Sequence, residues 1–355
     1  MLSDFTSMNI IEESALGYER LIYGMEDSVG YRGIIAIHST LLGPAVGGTR
    51  FWNYRTRAEA IRDALRLARS MTYKNALAGL PFGGGKAVII GDPGSHHRER
   101  IFRAHGRLVN SLNGKYITAE DVGTGTKDME YIRQETKYVA GLEGHAGDPS
   151  PKTARGVFRA MQAAARFCWG TDELSGKTVA IQGCGHVGYA LAGELFRAGA
   201  RLVVADVIPE RVKRLVSEFG ATAVDSDEIF RVKTDIFAPC ALGGIINDQT
   251  LLRLRTQMVV GAANNQLQAP HYGDLLQERG ILYAPDYAAN AGGVIYGCCI
   301  EMLGWEPYRV LERIDRIYDT LLQIFSIAMR DRISTYQAAD RLVEQHLNGA
   351  VLWTV

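Results

Sequence analysis

The sequence predicts an α/β protein of two domains. Three observations carry this: the length with its apolar content, a mixed strand and helix pattern before about residue 145, and a strand, helix, strand alternation after residue 150. The 355 residues, 47% of them hydrophobic, can bury two cores of ordinary size, because single cores stop growing beyond roughly 250–300 residues. The change of pattern places the first domain at residues 1–145 and opens the second at residue 146.

Composition narrows the partners. Thirty-nine basic residues balance thirty-nine acidic ones, so no overall field draws nucleic acid or an anionic membrane surface. A small molecule is the expected partner. Cys168, Cys184, Cys240, Cys298 and Cys299 contain no C-x-x-C pair, which suits neither a zinc site nor a disulfide framework; free thiols and no metal are expected. The amino end, MLSDFTSMNI, lacks the basic flank and apolar core of a signal peptide, and no run of roughly eighteen apolar residues occurs. A soluble, cytoplasmic protein is expected.

In the first domain, GIIAIHST reads as a strand, and TRAEAIRDALRLARSMTYKNA as a helix opened by a capping box of Thr56 and Glu59. Its inner stripe is Ile61, Ala64, Leu65, Ala68 and Met71, and Lys74 follows on the same face. A lysine there either complements the helix dipole or carries its ammonium toward whatever the stripe covers. Next comes LPFGGGKAVII. A phosphate-binding P-loop would need Ser or Thr after the lysine and then a helix, but Lys86 is followed by Ala87 and the β-branched run Val88, Ile89, Ile90. The run reads as a buried strand, and the glycines are expected to let a flat ligand approach the backbone beside Lys86. Asp121, in YITAEDVGTG, also stands among glycines and small residues. Each of Lys74, Lys86 and Asp121 taken alone is more often a surface charge. Converging, one lysine could hold an anionic group while the other, desolvated and crowded by like charge, could serve as an acid/base.

In the second domain, KTVAIQGCGHVGYALAGELFRAGARLVVADVIPE places an apolar strand before Gly183, Cys184, Gly185, His186, Val187 and Gly188, then an amphipathic helix and a second strand ending at Asp206. This is the full context of a Rossmann dinucleotide fingerprint: a glycine for the turn, one for approach to the pyrophosphate, one for helix packing. Asp206 would accept hydrogen bonds from ribose hydroxyls and repel a 2′-phosphate, so NAD is the expected cofactor. DIFAPCA and MVVGAANNQL continue the parallel sheet, bringing Cys240, Ala241 and Asn264 beside the nicotinamide half; Asn264 and Asn265 also read as turn residues.

The segments GPAVGGTRFW, SMTYKNALAGLPFGGGKAVIIGDP, YITAEDVGT, GDPSPKTARGVF, PCALGG, GAANNQL and YAPDYAANAGGV resemble the leucine, phenylalanine and valine branch of the glutamate dehydrogenase superfamily, with leucine dehydrogenases the nearest likeness. The likeness spans nearly the whole chain. It implies NAD-dependent, reversible oxidative deamination of an L-amino acid to its 2-oxo acid and ammonia. It also implies an N-terminal α/β substrate domain, a Rossmann-type NAD-binding domain over 146–329, and a C-terminal helical return over 330–355. A homo-oligomer is expected.

By the same resemblance, Lys74 matches the lysine that binds the α-carboxylate, Lys86 the catalytic lysine, Asp121 the aspartate that exchanges protons with the amino group, Asn290 an asparagine near the substrate, and Thr153 the threonine at the nicotinamide carboxamide. Hydride loss from Cα would leave an iminium; Lys86 would activate water to attack it, and Asp121 would protonate the departing amine. Val46, Gly47, Met71 and Ala119, joined by Leu321 and Ile324, would line the side-chain pocket, and none of them is charged. Ala119 resembles the branch that takes leucine and valine, whereas Leu321 resembles the branch that takes aromatic substrates. The expectation is a branched aliphatic amino acid, with phenylalanine or tryptophan as the alternative. Glutamate enzymes carry a lysine where Val46 stands, and a γ-carboxylate buried against valine would lose its partner at a cost of roughly several kcal/mol. A non-catalytic NAD-binding protein is the reading from a different class, and Lys74, Lys86 and Asp121 argue against it.

Overall fold

The computed structural model describes residues 8–144 and 147–352. The expected boundary between residues 145 and 146 falls on residues outside that range, as do the last three of the expected return. The chain forms two compact units: Met1–Gly147 with Gly297–Gly304 and His346–Val355, and Asp148–Tyr296 with Trp305–Gln345. Residues 330–345, expected with the return, therefore belong to the second unit.

The first unit is a mixed sheet of β1 (Asn9–Glu13), β2 (Arg20–Glu26), β3 (Tyr31–Ser39), β4 (Ala45–Trp52), β5 (Gly83–Ile90) and β6 (Tyr116–Glu120), with helices α1 (Arg57–Leu77), α2 (Arg98–Ser111) and α3 (Thr126–Arg133). Strand order is β1-β2-β3-β5-β4-β6, so β4 lies between β5 and β6 and is parallel to both. Side chains alternate across the sheet. Val88, Ile34 and Ala36 pack with Ala60, Ala64 and Ala68 of α1, whereas Ala87, Ile89 and Phe51 pack with Phe102 and Leu108 of α2 and Met129 and Ile132 of α3.

Helix α1 begins as its sequence predicts, Thr56 accepting from the Glu59 amide at 3.1 Å. The return bond differs: the Glu59 carboxylate takes the Arg55 amide at 3.1 Å. The buried row is Ala60, Ala64, Leu67 and Ala68, with Ile61, Leu65 and Met71 only half-buried. Three alanines spaced by four let α1 approach the sheet closely, so the helix sits turned from the orientation its larger side chains suggest. Two later segments tie into this unit: Glu301 accepts the Gly141 amide at 2.6 Å, and His346 Nδ1 lies 3.1 Å from the Ala76 carbonyl.

The second unit opens with α4 (Ser150–Trp169) and alternates β7 (Thr178–Gln182), α5 (His186–Arg197), β8 (Arg201–Ala205), α6 (Pro209–Phe219), β9 (Thr222–Ala223), β10 (Ile236–Pro239), α7 (Asp248–Leu251), β11 (Met258–Val259), α8 (His271–Glu278) and β12 (Leu282–Tyr283). Its six strands run in the order β12-β11-β10-β7-β8-β9, every pair parallel. That is a doubly wound sheet with its switch point between β7 and β10, where such sheets bind ligands beyond the strand carboxyl ends. Helices α9 (Asp286–Ala289), α10 (Gly292–Gly297), α11 (Pro307–Asp315), α12 (Ile317–Asp331) and α13 (Thr335–Leu352) follow. Among the described residues no helix is long and apolar enough to cross a membrane.

Candidate active site

In the first unit, alternation along β5 puts Lys86 on the same sheet face as Val88, the face that α1 covers. Asp121 follows the last residue of β6. Lys86 Nζ lies 3.0 Å from Asp121 Oδ1, although β4 runs between their strands. The crossing is open because β4 carries Gly48 there: a Cβ on Gly48 would stand 3.0 Å from the Asp121 Cβ. The Asp121 amide donates to Thr124 Oγ1 at 2.8 Å, which fixes the backbone behind the carboxylate.

Lys86 is only 4% exposed. Burial, the largest influence on it, pushes the ammonium toward its neutral form; the Asp121 carboxylate opposes this and the Arg50 guanidinium adds to it, leaving Lys86 below the ordinary lysine value. Burial acts on Asp121 in the opposite sense, toward protonation, but Lys86 and Arg50 outweigh it and hold the carboxyl below its usual range. The result is a buried ion pair whose lysine is closer to neutrality than a surface lysine.

The glycines beside Lys86 serve a different purpose from the expected one. A Cβ on Gly84 would stand 2.5 Å from Thr72 Cα, and one on Gly85 would stand 2.8 Å from the Tyr116 ring. The space is filled by protein, so the run lets α1 and β6 pack onto β5 rather than admitting a ligand. Gly47 is closed in the same way: a Cβ there would stand 2.8 Å from the Gly85 carbonyl carbon and 3.4 Å from Met71 Cγ. Gly47 is buried; Met71, Lys74 and Ala119 are half-buried on the neighbouring α1 and β6.

In the second unit the fingerprint follows β7. Gly183 has φ +102°, Gly185 caps α5, and α5 begins at His186. A Cβ on Gly188 would stand 3.0 Å from the Gly183 carbonyl carbon, whereas one on Gly185 meets nothing nearer than Arg211 Nη1 at 3.9 Å. The first glycine is needed for its turn, the last for packing, and the middle one leaves open the approach to the amide end of α5 that a pyrophosphate uses. Val187 is half-buried and His186 exposed. Asp206 stands just past β8, its Oδ2 accepting the Cys184 amide at 2.6 Å and its Oδ1 the Ile208 amide at 2.8 Å. It thus braces the turn, and each oxygen keeps a further lone pair for a ribose hydroxyl. The residues fit a dinucleotide.

Cys240 and Ala241 follow β10 against the turn: a Gly183 Cβ would stand 2.8 Å from the Ala241 Cβ. All five cysteines are free, and burial pushes the Cys184, Cys240 and Cys298 thiols up to about 12, too high for a thiolate nucleophile. The Asn290 amide donates to Asn264 Oδ1 at 2.8 Å and to the Ala262 carbonyl at 3.0 Å, while its own Oδ1 is buried with no hydrogen-bond partner. Such an orphaned acceptor suits a ligand donor. Asn265 does occupy a left-handed turn, at φ 52°. Thr153, on α4, lies against Gly293, whose absent side chain leaves room for its hydroxyl. Leu321 and Ile324 of α12 have no exposed surface. They lie in the interior of the second unit, as the likewise buried Val46 and Gly47 do in the first.

Two family models match the chain: "Glu/Leu/Phe/Val dehydrogenase, dimerisation domain" over residues 23–138, and "Glutamate/Leucine/Phenylalanine/Valine dehydrogenase" over residues 208–344. The chain is 54% identical to a leucine dehydrogenase of Geobacillus stearothermophilus, over 93% of this chain and 90% of that one. It belongs to the glutamate, leucine, phenylalanine and valine dehydrogenase family. A phenylalanine dehydrogenase of Lysinibacillus sphaericus is 46% identical, with 94% and 89% of the two chains covered. The crystal structure of L-tryptophan dehydrogenase from Nostoc punctiforme matches with a TM-score of 0.86 at 44% identity, covering 94% of this chain and 96% of that one.

Against the family's motifs, sequence reasoning passed over several residues that build the first-unit site. Arg50 reaches Asp121 from β4, its Nε 2.8 Å from Oδ2. A lone charge inside the otherwise apolar and small AVGGTRFW was the available signal. Asn75, fully buried on α1, donates to the Gly83 carbonyl at 2.6 Å and so pins the glycine run to the helix that carries Lys74. Beneath β4, Tyr31 and Thr49 each lie 2.8 Å from a ring nitrogen of fully buried His105, and the Tyr116 hydroxyl donates to the Gly47 carbonyl. These polar groups supply the partners that an internal histidine and tyrosine require.

Proposed function

We propose that this amino acid dehydrogenase uses NAD to convert an apolar L-amino acid of the leucine, valine and isoleucine type reversibly to its 2-oxo acid and ammonia. The observation that carries the proposal is the Lys86–Asp121 pair, a buried ammonium 3.0 Å from a carboxylate and held below its ordinary basicity. A lysine shifted in that direction offers more of its neutral, basic form at a given pH than a surface lysine does.

NAD, when bound, supplies the hydride acceptor for Cα. Gly183, Gly185, His186, Val187, Gly188 and Asp206 are assigned to its adenosine and pyrophosphate half, and Thr153, Cys240, Ala241 and Asn264 to its nicotinamide half. Lys74 is assigned to the substrate α-carboxylate and Asn290 to the neighbourhood of the amino group. With Cα oxidised to an iminium, Lys86 takes a proton from water as the water oxygen bonds to that carbon. That proton is relayed through Asp121 to nitrogen as the carbon–nitrogen bond breaks and ammonia leaves, and Lys86, neutral again, takes the hydroxyl proton as the water oxygen becomes the keto oxygen. Val46, Gly47, Met71 and Ala119 bear no charge, and each substrate methylene buried against such residues contributes about 0.8 kcal/mol.

The 54% identity to a leucine dehydrogenase supports the aliphatic reading. A second reading, an aromatic substrate, is favoured by the 44% identity and TM-score of 0.86 to the tryptophan enzyme. The family model described as a dimerisation domain supports assembly as a homo-oligomer. Lys86→Ala tests the proposal: kcat should fall by roughly two to four orders of magnitude while NAD binding and the melting temperature hold. Turnover within about tenfold of the unmodified enzyme would contradict it.

A further inference from the structure

Asp121 is held from two sides by two cations of different kinds. Lys86 Nζ sits 3.0 Å from Oδ1, and Arg50 Nε sits 2.8 Å from Oδ2. Arg50 itself is fixed from behind. Its Nη1 lies 2.7 Å from Asp63 Oδ2 on α1, the Tyr54 hydroxyl donates to that same oxygen at 2.7 Å, and Arg66 Nη2 lies 3.0 Å from Asp63 Oδ1. The guanidinium therefore bridges two carboxylates from β4, one on α1 and one past β6, and all three side chains are largely buried, at 21%, 16% and 22% exposure for Arg50, Asp63 and Asp121.

A lysine that works as a base must spend part of each cycle without its charge. During that interval a buried carboxylate partnered by the lysine alone would lose its counter-ion and take up a proton, since an unpaired buried charge is costly. Arginine does not deprotonate in proteins, and its planar fork holds two acceptors at once. We propose that Arg50, anchored by Asp63, is the fixed counter-ion of Asp121: it keeps this carboxylate aimed throughout and, between proton transfers, ionised while Lys86 is neutral. The proposal rests on the reading of Lys86 and Asp121 as the proton-transferring pair. Arg50 and Asp63 are positioning residues in it and touch no reacting atom.

The other titratable groups around Asp121 leave this role to Arg50. Tyr116, on β6, is fully buried and its hydroxyl is pushed far toward the neutral form, chiefly by burial. Tyr54 is neutral for the same first reason, reinforced by its bond to Asp63. Asp63 is itself ionised: burial opposes this, but Tyr54, Arg50 and Arg66 outweigh it. Loss of the Arg50 charge moves both members of the pair the same way, since Arg50 favours ionised Asp121 and neutral Lys86.

The test compares purified full-length Arg50→Gln, Arg50→Lys and Asp63→Asn with the unmodified enzyme, measuring kcat and KM for L-leucine across pH together with the melting temperature. Lys86→Ala is the control for the underlying reading. Arg50→Gln should lower kcat by about ten- to a hundredfold with KM changed less than about threefold, and shift the acid limb of the kcat profile upward by about one pH unit. Arg50→Lys keeps the charge but cannot bridge, so it should restore the acid limb and only part of kcat. Asp63→Asn should lower kcat in the same sense, which keeps the proposal testable if Arg50→Gln fails to fold. A folded Arg50→Gln with an unmoved acid limb and unchanged kcat overturns the proposal, as does a loss that follows melting temperature alone. Lys86→Ala with near-normal turnover would instead remove the reading on which it rests.

Discussion

Gly84→Ala tests whether the glycine run exists for packing. The added Cβ would lie 2.5 Å from Thr72 Cα, where ordinary contact begins at 3.4 Å. The obstacle is helix backbone, with the Thr72 amide nitrogen nearer still, so relief requires α1 and β5 to separate by about 1 Å or more. Overpacking of this kind costs about 3 kcal/mol, which lowers the melting temperature of a unit this size by roughly 6–12 °C. The shift also displaces Lys74, two residues beyond Thr72 on the same helix, from Lys86, two residues beyond Gly84 on the strand. Misplacement near 1 Å costs about a hundredfold in rate. Thermal melting by circular dichroism and kcat/KM with L-leucine and NAD read both effects. An alanine variant that melts and turns over as the unmodified enzyme does would refute the packing role.

Gly185→Ala should behave oppositely: the nearest atom to its Cβ is 3.9 Å away, so melting should be unchanged while NAD affinity, read by fluorescence titration, falls by about tenfold or more. Asp206→Ala should narrow a preference for NAD over NADP and, since it also unties the Cys184 and Ile208 amides, lower affinity for both; kcat/KM with each cofactor checks this. Burial lowers His105 to about 3, below its unfolded value, so the unfolded state binds the proton first. Its contribution is complete above about pH 6.5 and is lost as pH falls toward 3, at up to about 1.4 kcal/mol per pH unit. Denaturant unfolding between pH 7 and 4 should accordingly be less steep in pH for a folded His105→Gln variant than for the unmodified protein.

What the sequence disclosed was set by how local each feature is. The fingerprint after β7 was legible because strand, turn, helix and acid are contiguous, and the start of α1 because Thr56 caps it from one turn away. The purpose of Gly83, Gly84 and Gly85 was not legible: the atoms that exclude a side chain there belong to β3, α1 and β6, brought in by the fold. The Lys86–Asp121 pair needed the strand order as well, since the two side chains meet across Gly48 of β4. Arg50 was missed because its two partners come from different elements, and a single arginine in a strand reads as an edge charge. Leu321 and Ile324 share a helix face, as their spacing implies, but that face is buried in the second unit, and spacing cannot tell a core stripe from a pocket wall.

That the enzyme acts on apolar amino acids is tested by a kcat/KM series with NAD over L-leucine, L-valine, L-isoleucine, L-phenylalanine, L-tryptophan and L-glutamate. The branched aliphatic substrates should lead, within the roughly 10–200-fold that a methylene or two can discriminate, and glutamate should fall far behind because Val46, Gly47, Met71 and Ala119, assigned to the side chain, include no cation. A leading glutamate, or no NADH from any of the six, would contradict the claim.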